Sequence, residues 1–276
     1  MVLFPNCKIN LGLNIQEKRP DGYHNLETVF YPLPLYDALE VIHPPNPSSK
    51  QVLFSQSGHP LNIPSEQNIC VKAWHILKKD FPDLPYVQTH LHKNIPSGAG
   101  LGGGSADGAF TFMLLNRKFH LQLSEEHLMS YALQLGSDCP FFIINKPCFA
   151  SGRGEIIEPL KLDLSAYKIV VVNPGIHIAT GWAFSQLSPS KDGTTLKEAI
   201  QQPVESWQNV LINDFEKVIF DHHPPIKAIK EQQLQNGAVY ATMTGTGSTV
   251  FGLFHKDASL EYSFPPSYFV KTLPLI

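Results

Sequence analysis

The stretch Ile95-Pro96-Ser97-Gly98-Ala99-Gly100-Leu101-Gly102-Gly103-Gly104-Ser105-Ala106-Asp107-Gly108-Ala109 holds five glycines between Gly98 and Gly104. It runs straight into the apolar sequence Phe110-Thr111-Phe112-Met113-Leu114-Leu115. Glycine enters positive φ without a Cβ penalty and lets a backbone approach a ligand closely. Ser105 reads as an N-cap or first-turn residue, and the apolar run behind it as a buried helix. A glycine loop that feeds a helix N-terminus offers unpaired N–H groups and the positive end of the helix dipole. That is an anion site, and phosphate is the anion it suits best.

Other readings of the loop fit less well. Gly98 to Gly103 matches G-x-G-x-x-G, the dinucleotide fingerprint, which asks for a buried strand before it and an acidic residue about 20 positions later. Here Val87-Gln88-Thr89-His90-Leu91-His92-Lys93 alternates like a half-exposed antiparallel strand, and Leu121-Gln122-Leu123 stand where the acid belongs. No Gly-Lys-Ser/Thr closes the loop, so the Walker pattern fails too. A flexible connector would need neither Leu101 inside it nor a helix directly behind it.

The pattern Pro-x-x-x-Gly-Leu-Gly-Gly-Gly-Ser-Ala, from Pro96 to Ala106, resembles the phosphate loop of the GHMP kinases, a family of small-molecule kinases. In that family the loop wraps the phosphates of ATP. The resemblance therefore implies that Pro96, Ser97, Gly98, Ala99, Gly100, Leu101, Gly102, Gly103, Gly104, Ser105 and Ala106 bind ATP. Asn68 and Lys93 are weaker candidates on the adenine side.

Three further segments extend the resemblance over nearly the whole chain. They are Lys8-Ile9-Asn10-Leu11-Gly12-Leu13 with Asp21-Gly22-Tyr23-His24 and Glu27-Thr28, then Gly136-Ser137-Asp138-Cys139-Pro140-Phe141-Phe142, then Met243-Thr244-Gly245-Thr246-Gly247-Ser248-Thr249-Val250-Phe251. The Lys-Ile-Asn-Leu and Asp-Gly-Tyr-His pair discriminates within the family, because mevalonate and homoserine kinases lack it. It is similar to the branch that phosphorylates a cytidine-diphosphate-linked methylerythritol. The implied reaction is ATP-dependent phosphorylation of the 2-hydroxyl of 4-diphosphocytidyl-2-C-methyl-D-erythritol, in the non-mevalonate route to isoprenoid precursors. Kinases for another alcohol and a silent nucleotide-binding regulator are the alternatives; an intact Lys8 and Asp138 speak against the second.

Asp138 stands in a turn before an apolar run that reads as a strand. Alone it reads as a turn or cap aspartate. The resemblance makes it the catalytic base, since phosphoryl transfer needs a group that orients an alcohol and takes its proton late. Lys8 alone reads as an exposed strand lysine. The resemblance sets it beside the aspartate, where its charge keeps a carboxylate ionised. Tyr23 and His24 follow a tight turn and alone read as hairpin decoration. The resemblance makes the tyrosine stack on cytosine and gives the histidine polar contacts there. Phe184, in Thr180-Gly181-Trp182-Ala183-Phe184, is either a core phenylalanine or a second aromatic wall. Asn10, Thr180, Gly245 and Thr246 are further substrate-binding candidates. Thr244 and Thr246 stand where serines are common, and threonine keeps the hydroxyl on a stiffer side chain. Mg²⁺ is implied with ATP, and no protein ligand for it is identified.

Composition bounds the rest. With 276 residues, 43% hydrophobic, 16% charged and a net charge of −3, the chain suits one large or two modest globular domains. It lacks the basic excess of a nucleic-acid binder and any apolar run near the roughly 18 residues of a membrane span. No signal peptide is expected from Met1-Val2-Leu3-Phe4-Pro5-Asn6. Cys7, Cys70, Cys139 and Cys148 show no C-x-x-C spacing, so buried thiols in a reducing cytoplasm are expected. The pairs His90/His92 and His222-His223 lack Cys or carboxylate ligands at a metal-site spacing and read as surface histidines.

Strands are expected over Val2 to Ile15, Leu26 to Tyr31, Leu39 to Ile42, Lys168 to Pro174, Ala238 to Ala241 and Val250 to Phe254, with an edge strand at Tyr268 to Thr272. Helices are expected over Asn68 to Leu77, from Ser124 to Leu135, and from Leu196, Asp214 and Pro225. Pro44 to Ser49 and Ser188 to Gly193 read as polar surface loops. The pattern is α+β. With the resemblance it implies a two-domain GHMP kinase fold: a ribosomal S5 domain 2-like N-terminal domain, 1–160, a ferredoxin-like C-terminal domain, 161–276, and a site in the cleft between them. A small-molecule substrate is expected and neither nucleic acid nor membrane; the oligomeric state stays open.

Overall fold

Gly102, left-handed at φ +68°, ends the glycine stretch and caps α2 (Gly103–Phe119), a helix of 17 residues. Ala106, Ala109, Phe110, Phe112, Leu114 and Leu115 are buried along it, as the apolar run requires of a core helix. The structure is a computed structural model that describes residues 1–46, 52–187 and 195–275. Pro47-Ser48-Ser49 of the first expected loop and all of the second, Ser188 to Gly193, lie outside the described residues.

The chain falls into two compact units. The first comprises Met1–Cys7, Leu35–Ser97 and Gly102–Asn145; the second comprises Lys8–Pro34, Gly98–Leu101 and Lys146–Ile276. Each is assembled from separated segments, whereas the expected halves 1–160 and 161–276 are continuous in sequence.

In the first unit, a four-stranded sheet has the order β1 (Val2–Leu3), β4 (Ala38–Ile42), β6 (Gln88–Lys93), β5 (Leu53–Gly58). β6 runs antiparallel to β4, as expected, and parallel to β5. The helices α1 (Ile69–Asp80) and α3 (Glu125–Leu133) pack on α2. Their starts carry side-chain caps: Asn68 accepts from the Cys70 N–H at 2.9 Å and Ser124 from the His127 N–H at 3.2 Å. Phe141-Phe142-Ile143-Ile144 is not the strand expected from sequence but a single helical turn, α4 (Phe141–Ile144). A run of four apolar residues carries no period. Its flanks decide: Pro140 already holds φ −57° and ψ −32°, and Asn145, at φ +52°, ends the turn.

The second unit contains most of a sheet ordered β2 (Asn6–Lys18), β3 (His24–Tyr36), β7 (Cys148–Ser151), β8 (Ile156–Pro159). The expected strand from Val2 to Ile15 is thus two strands, split where Pro5 has no N–H to give a ladder. A third sheet, wholly antiparallel, has the order β10 (Tyr240–Met243), β11 (Val250–His255), β9 (Tyr167–Asn173), β12 (Phe269–Pro274). β12 is the edge strand expected there. The short helices α5 (Thr180–Ser185), α6 (Leu196–Ala199) and α7 (Trp207–Val210) precede α8 (Phe215–His222) and α9 (Pro224–Gln235). Phe215, Ile219, Ile226 and Ile229 pack into one core with Val170, Val172, Ala241, Met243 and Val250. Among the described residues no helix is long and apolar enough to cross a membrane. Mostly antiparallel sheets packed with helices make the α+β class expected from sequence.

Candidate active site

In the first unit the start of α2 has no side-chain cap, so its first N–H groups are open to an anion. A Cβ added at Gly104 would meet nothing within 4 Å, whereas one at Gly103 would stand 2.9 Å from Ile95 Cγ2. Gly104 faces space; Gly103 faces the core. Asp138 is the third residue of a turn closed by the Cys139 N–H to the Gly136 carbonyl at 3.1 Å. It is half-buried. The Cys139 thiol, pushed up to about 12 by burial, shares a hydrogen bond with the Ser105 side chain. The unit therefore brings the first turn of α2 and the Asp138 turn together.

In the second unit, Lys8 is 3% exposed, so it is no surface lysine. Its Nζ donates to Asn10 Oδ1 at 2.7 Å and lies 4.6 Å from the centre of the Phe30 ring. Asn10 is held on every side: Nδ2 donates to Thr28 Oγ1 at 2.8 Å, and the N–H donates to Thr244 Oγ1 at 3.0 Å. Thr244 Oγ1 also lies 3.1 Å from Asn10 Oδ1 and from the Gly100 carbonyl. A Cβ at Gly100, which sits at φ +78°, would stand 2.2 Å from the Thr244 carbonyl. The two glycine turns are thus packed backbone to backbone, which only glycine permits. The Lys8 N–H donates to the Leu101 carbonyl at 3.0 Å. Asn213 Nδ2 donates to the carbonyls of Met243 at 2.7 Å and Gly245 at 2.9 Å. Thr180 and Thr246 face each other with Oγ1 atoms 3.5 Å apart.

The aromatic candidates lie in the same unit. Tyr23 is 56% exposed, with the Arg153 guanidinium 4.8 Å from its ring centre. His24 is stacked with Phe184, and Phe184 also packs on the core that holds α8, as its reading as a core phenylalanine expects. The side chains of Asn68 and Lys93, the candidates for the adenine side, have partners within the protein. Asn68 caps α1, and Lys93 is ion-paired with Asp37 and Asp107 in the first unit's interior.

Sequence reasoning missed Thr28, Asp37, Asp107, Arg153 and Asn213. Lys93 and Leu91 do carry a signal, since residues two apart share one face of a strand; a lysine on the buried face requires a carboxylate partner.

Family models meet this chain in two places: the GHMP kinases N terminal domain over residues 68–146, and the GHMP kinases C terminal domain over residues 189–264. A 4-diphosphocytidyl-2-C-methyl-D-erythritol kinase of Bacteroides fragilis is 52% identical over 260 residues, covering 94% of each chain. The chain belongs to the 4-diphosphocytidyl-2-C-methyl-D-erythritol kinases, a family of GHMP kinases. A crystal structure of a 4-(cytidine 5'-diphospho)-2C-methyl-D-erythritol kinase matches this GHMP kinase with a TM-score of 0.77 at 30% identity, over 92% of this chain and 90% of that one. Methanococcus jannaschii mevalonate kinase, at 12% identity and a TM-score of 0.69 over 94% and 92%, shares the fold.

Proposed function

We propose that this kinase transfers the γ-phosphate of ATP to the 2-hydroxyl of 4-diphosphocytidyl-2-C-methyl-D-erythritol, a step toward isoprenoid precursors by the non-mevalonate route. The observation that carries the nucleotide half is the start of α2: an uncapped helix N-terminus behind glycines at positive φ, with open space at Gly104. That arrangement suits a phosphate. The alcohol is argued from the relatives' own substrate and from the exposed Tyr23 and the His24–Phe184 stack, which suit a flat base.

Asp138 orients the 2-hydroxyl and accepts its proton late, as the oxygen becomes acidic. Lys8 supplies positive charge toward the oxygens of the reacting groups. Gly245 and Thr246 lie on the turn that would approach the phosphates of the alcohol substrate, with Thr180 beside them. Asn10, with its polar atoms in use, holds Lys8 in place instead of meeting substrate. Mg²⁺ neutralises phosphate charge when bound with the nucleotide. It asks for only one or two protein carboxylates beside phosphate oxygens and water, and among the described residues no group of three or more His, Cys, Asp or Glu is placed to hold a metal ion. The four cysteines, none of them in a disulfide, suit the cytoplasm, where thiols stay reduced.

A kinase assay with ATP and a panel of the cytidyl alcohol, mevalonate and homoserine tests the proposal. Turnover of the cytidyl alcohol alone is expected. Equal or better turnover of another alcohol would replace the substrate, and no turnover of any would remove the kinase reading.

A further inference from the structure

Lys93, Asp37 and Asp107 form an ion triad at both ends of the glycine stretch, and none of the three is more than 2% exposed. The Lys93 Nζ donates to Asp37 Oδ2 and, at 2.8 Å, to Asp107 Oδ2. The other oxygen of Asp37 accepts the N–H groups of Asn94 at 2.6 Å and Ile95 at 2.9 Å. Those two residues lead into the stretch. Asp107 lies on α2, one turn past Gly103, and a Cβ at Gly103 would stand 3.3 Å from the same Nζ. One ammonium thus ties the strand that enters the stretch to the helix that leaves it.

Stability alone is a poor reason for such a group. Removing three charges from water is costly, and apolar side chains of similar volume often serve as well or better. What the triad adds is fixed geometry. It is also unbalanced, with two carboxylates to one ammonium. Asp107 Oδ1 has no hydrogen-bond partner among the described residues. Burial pushes the Asp107 carboxyl up to about 7, opposed by Lys93 and assisted by Asp37. Burial also works against the Lys93 charge, but the two carboxylates outweigh it and hold the ammonium above its usual range. The remaining titratable neighbour is the Cys70 thiol of α1, 3.8 Å from the Asp107 carbonyl and pushed up by burial. Lys93 therefore carries its charge, and the Asp107 carboxyl is the one that burial pushes toward the neutral range.

We propose that Lys93, Asp37 and Asp107 are positioning residues that set the spacing between Ile95 and the start of α2, and through it the affinity for the nucleotide's phosphates. This rests on the ATP reading above. Lys93 then serves the nucleotide through the loop and not by touching adenine. A proton on Asp107 removes a negative charge beneath a phosphate site, so ATP affinity falls as pH rises through about 7.

The test is calorimetry of the full chain with ATP between pH 6 and pH 8, alongside KM values for ATP and the alcohol, in wild type, Asp107→Ala and Asp107→Asn. Asp107→Ala keeps a balanced Lys93–Asp37 pair and is expected to weaken ATP binding about tenfold, with the alcohol's KM within about twofold. Asp107→Asn keeps an acceptor for Lys93, so it is expected to restore affinity to within about threefold and to flatten the pH dependence. A folded Asp107→Ala variant with unchanged ATP affinity overturns the proposal. If that variant fails to fold, an Asp107→Asn profile that falls with pH as wild type does overturns it equally. Wild type that does not bind ATP at all overturns the nucleotide reading itself.

Discussion

His24 lies stacked on Phe184, with ring centroids 5.1 Å apart and planes 26° from parallel. Phe184 stands edge-on to Phe215 at 4.9 Å. From sequence, Tyr23 and Phe184 are expected to face each other across a base, but here one face of Phe184 is taken by the histidine. Burial lowers the His24 pKa, and Lys18 adds to the effect, which favours the neutral imidazole in the stack. Under the proposed function, Phe184 would support His24 against the base instead of meeting the base itself. His24→Ala and Phe184→Ala are each expected to raise the KM of the cytidyl alcohol about tenfold, and the double variant no further. Tyr23→Ala should add to either, with the KM for ATP unmoved. Fully additive costs for the stacked pair would mean that Phe184 meets the base directly.

The two central glycines of the loop should respond oppositely. The close approach of backbone to phosphate proposed for this loop would set a Cβ at Gly102 or Gly103 against ATP. Gly103 instead clashes with Ile95, so Gly103→Val should cost stability by overpacking, about 1–3 kcal/mol. Gly104→Ala meets no protein atom and replaces a poor helix former with the best one. It should melt no lower than wild type yet bind ATP more weakly. Unchanged ATP affinity in calorimetry would take Gly104 out of the site.

Asp138→Asn keeps the shape of the turn and its bond from Cys139 to Gly136, which is made by backbone alone. ATP binding should survive, and turnover should fall by roughly 10²–10⁴ as a general base is lost. Steady-state rates within a few-fold of wild type would leave Asp138 as a turn residue and nothing more.

Thr244 is fully buried, and its hydroxyl joins the Asn10 N–H to the Gly100 carbonyl. Thr244→Val is close in shape but leaves those groups unpaired, at a cost of about 1–3 kcal/mol in urea unfolding. Thr244→Ser keeps the bonds and should cost less than about 1 kcal/mol. A Thr244→Val variant as stable as wild type, with Thr244→Ser the weaker of the two, would show that the methyl group matters, and not the hydroxyl.

Local chemistry made much of this legible. Glycines at positive φ, the Asn68 and Ser124 helix starts and the alternation in β6 each state their conformation within a few residues. The misread stretch, Phe141 to Ile144, is too short to show a period, and its conformation comes from Pro140 and Asn145. β5 was not expected because Leu53-Phe54-Ser55-Gln56-Ser57-Gly58 is half polar and mostly exposed, the composition of an edge. The Lys93 triad joins residues 56 and 14 positions apart, a pairing that only the folded sheet and helix create. Thr244 shows the same limit: a hydroxyl type is visible in sequence, while its tie to Asn10, 234 positions away, is not.

None of the four cysteines is in a disulfide and all are buried, and burial pushes Cys139 and Cys148 up to about 12. Only the thiolate attacks a disulfide reagent, so a native molecule should stay almost unlabelled at neutral pH. Labelling then requires a local opening. The chain carries such reporters in both units, with Cys70 in the first turn of α1, Cys139 beside Ser105, and Cys148 at the start of β7. The rate at which each is modified measures how often that region breathes. Protection of Cys139 by added nucleotide would record occupancy of the glycine loop without any chemistry having to occur.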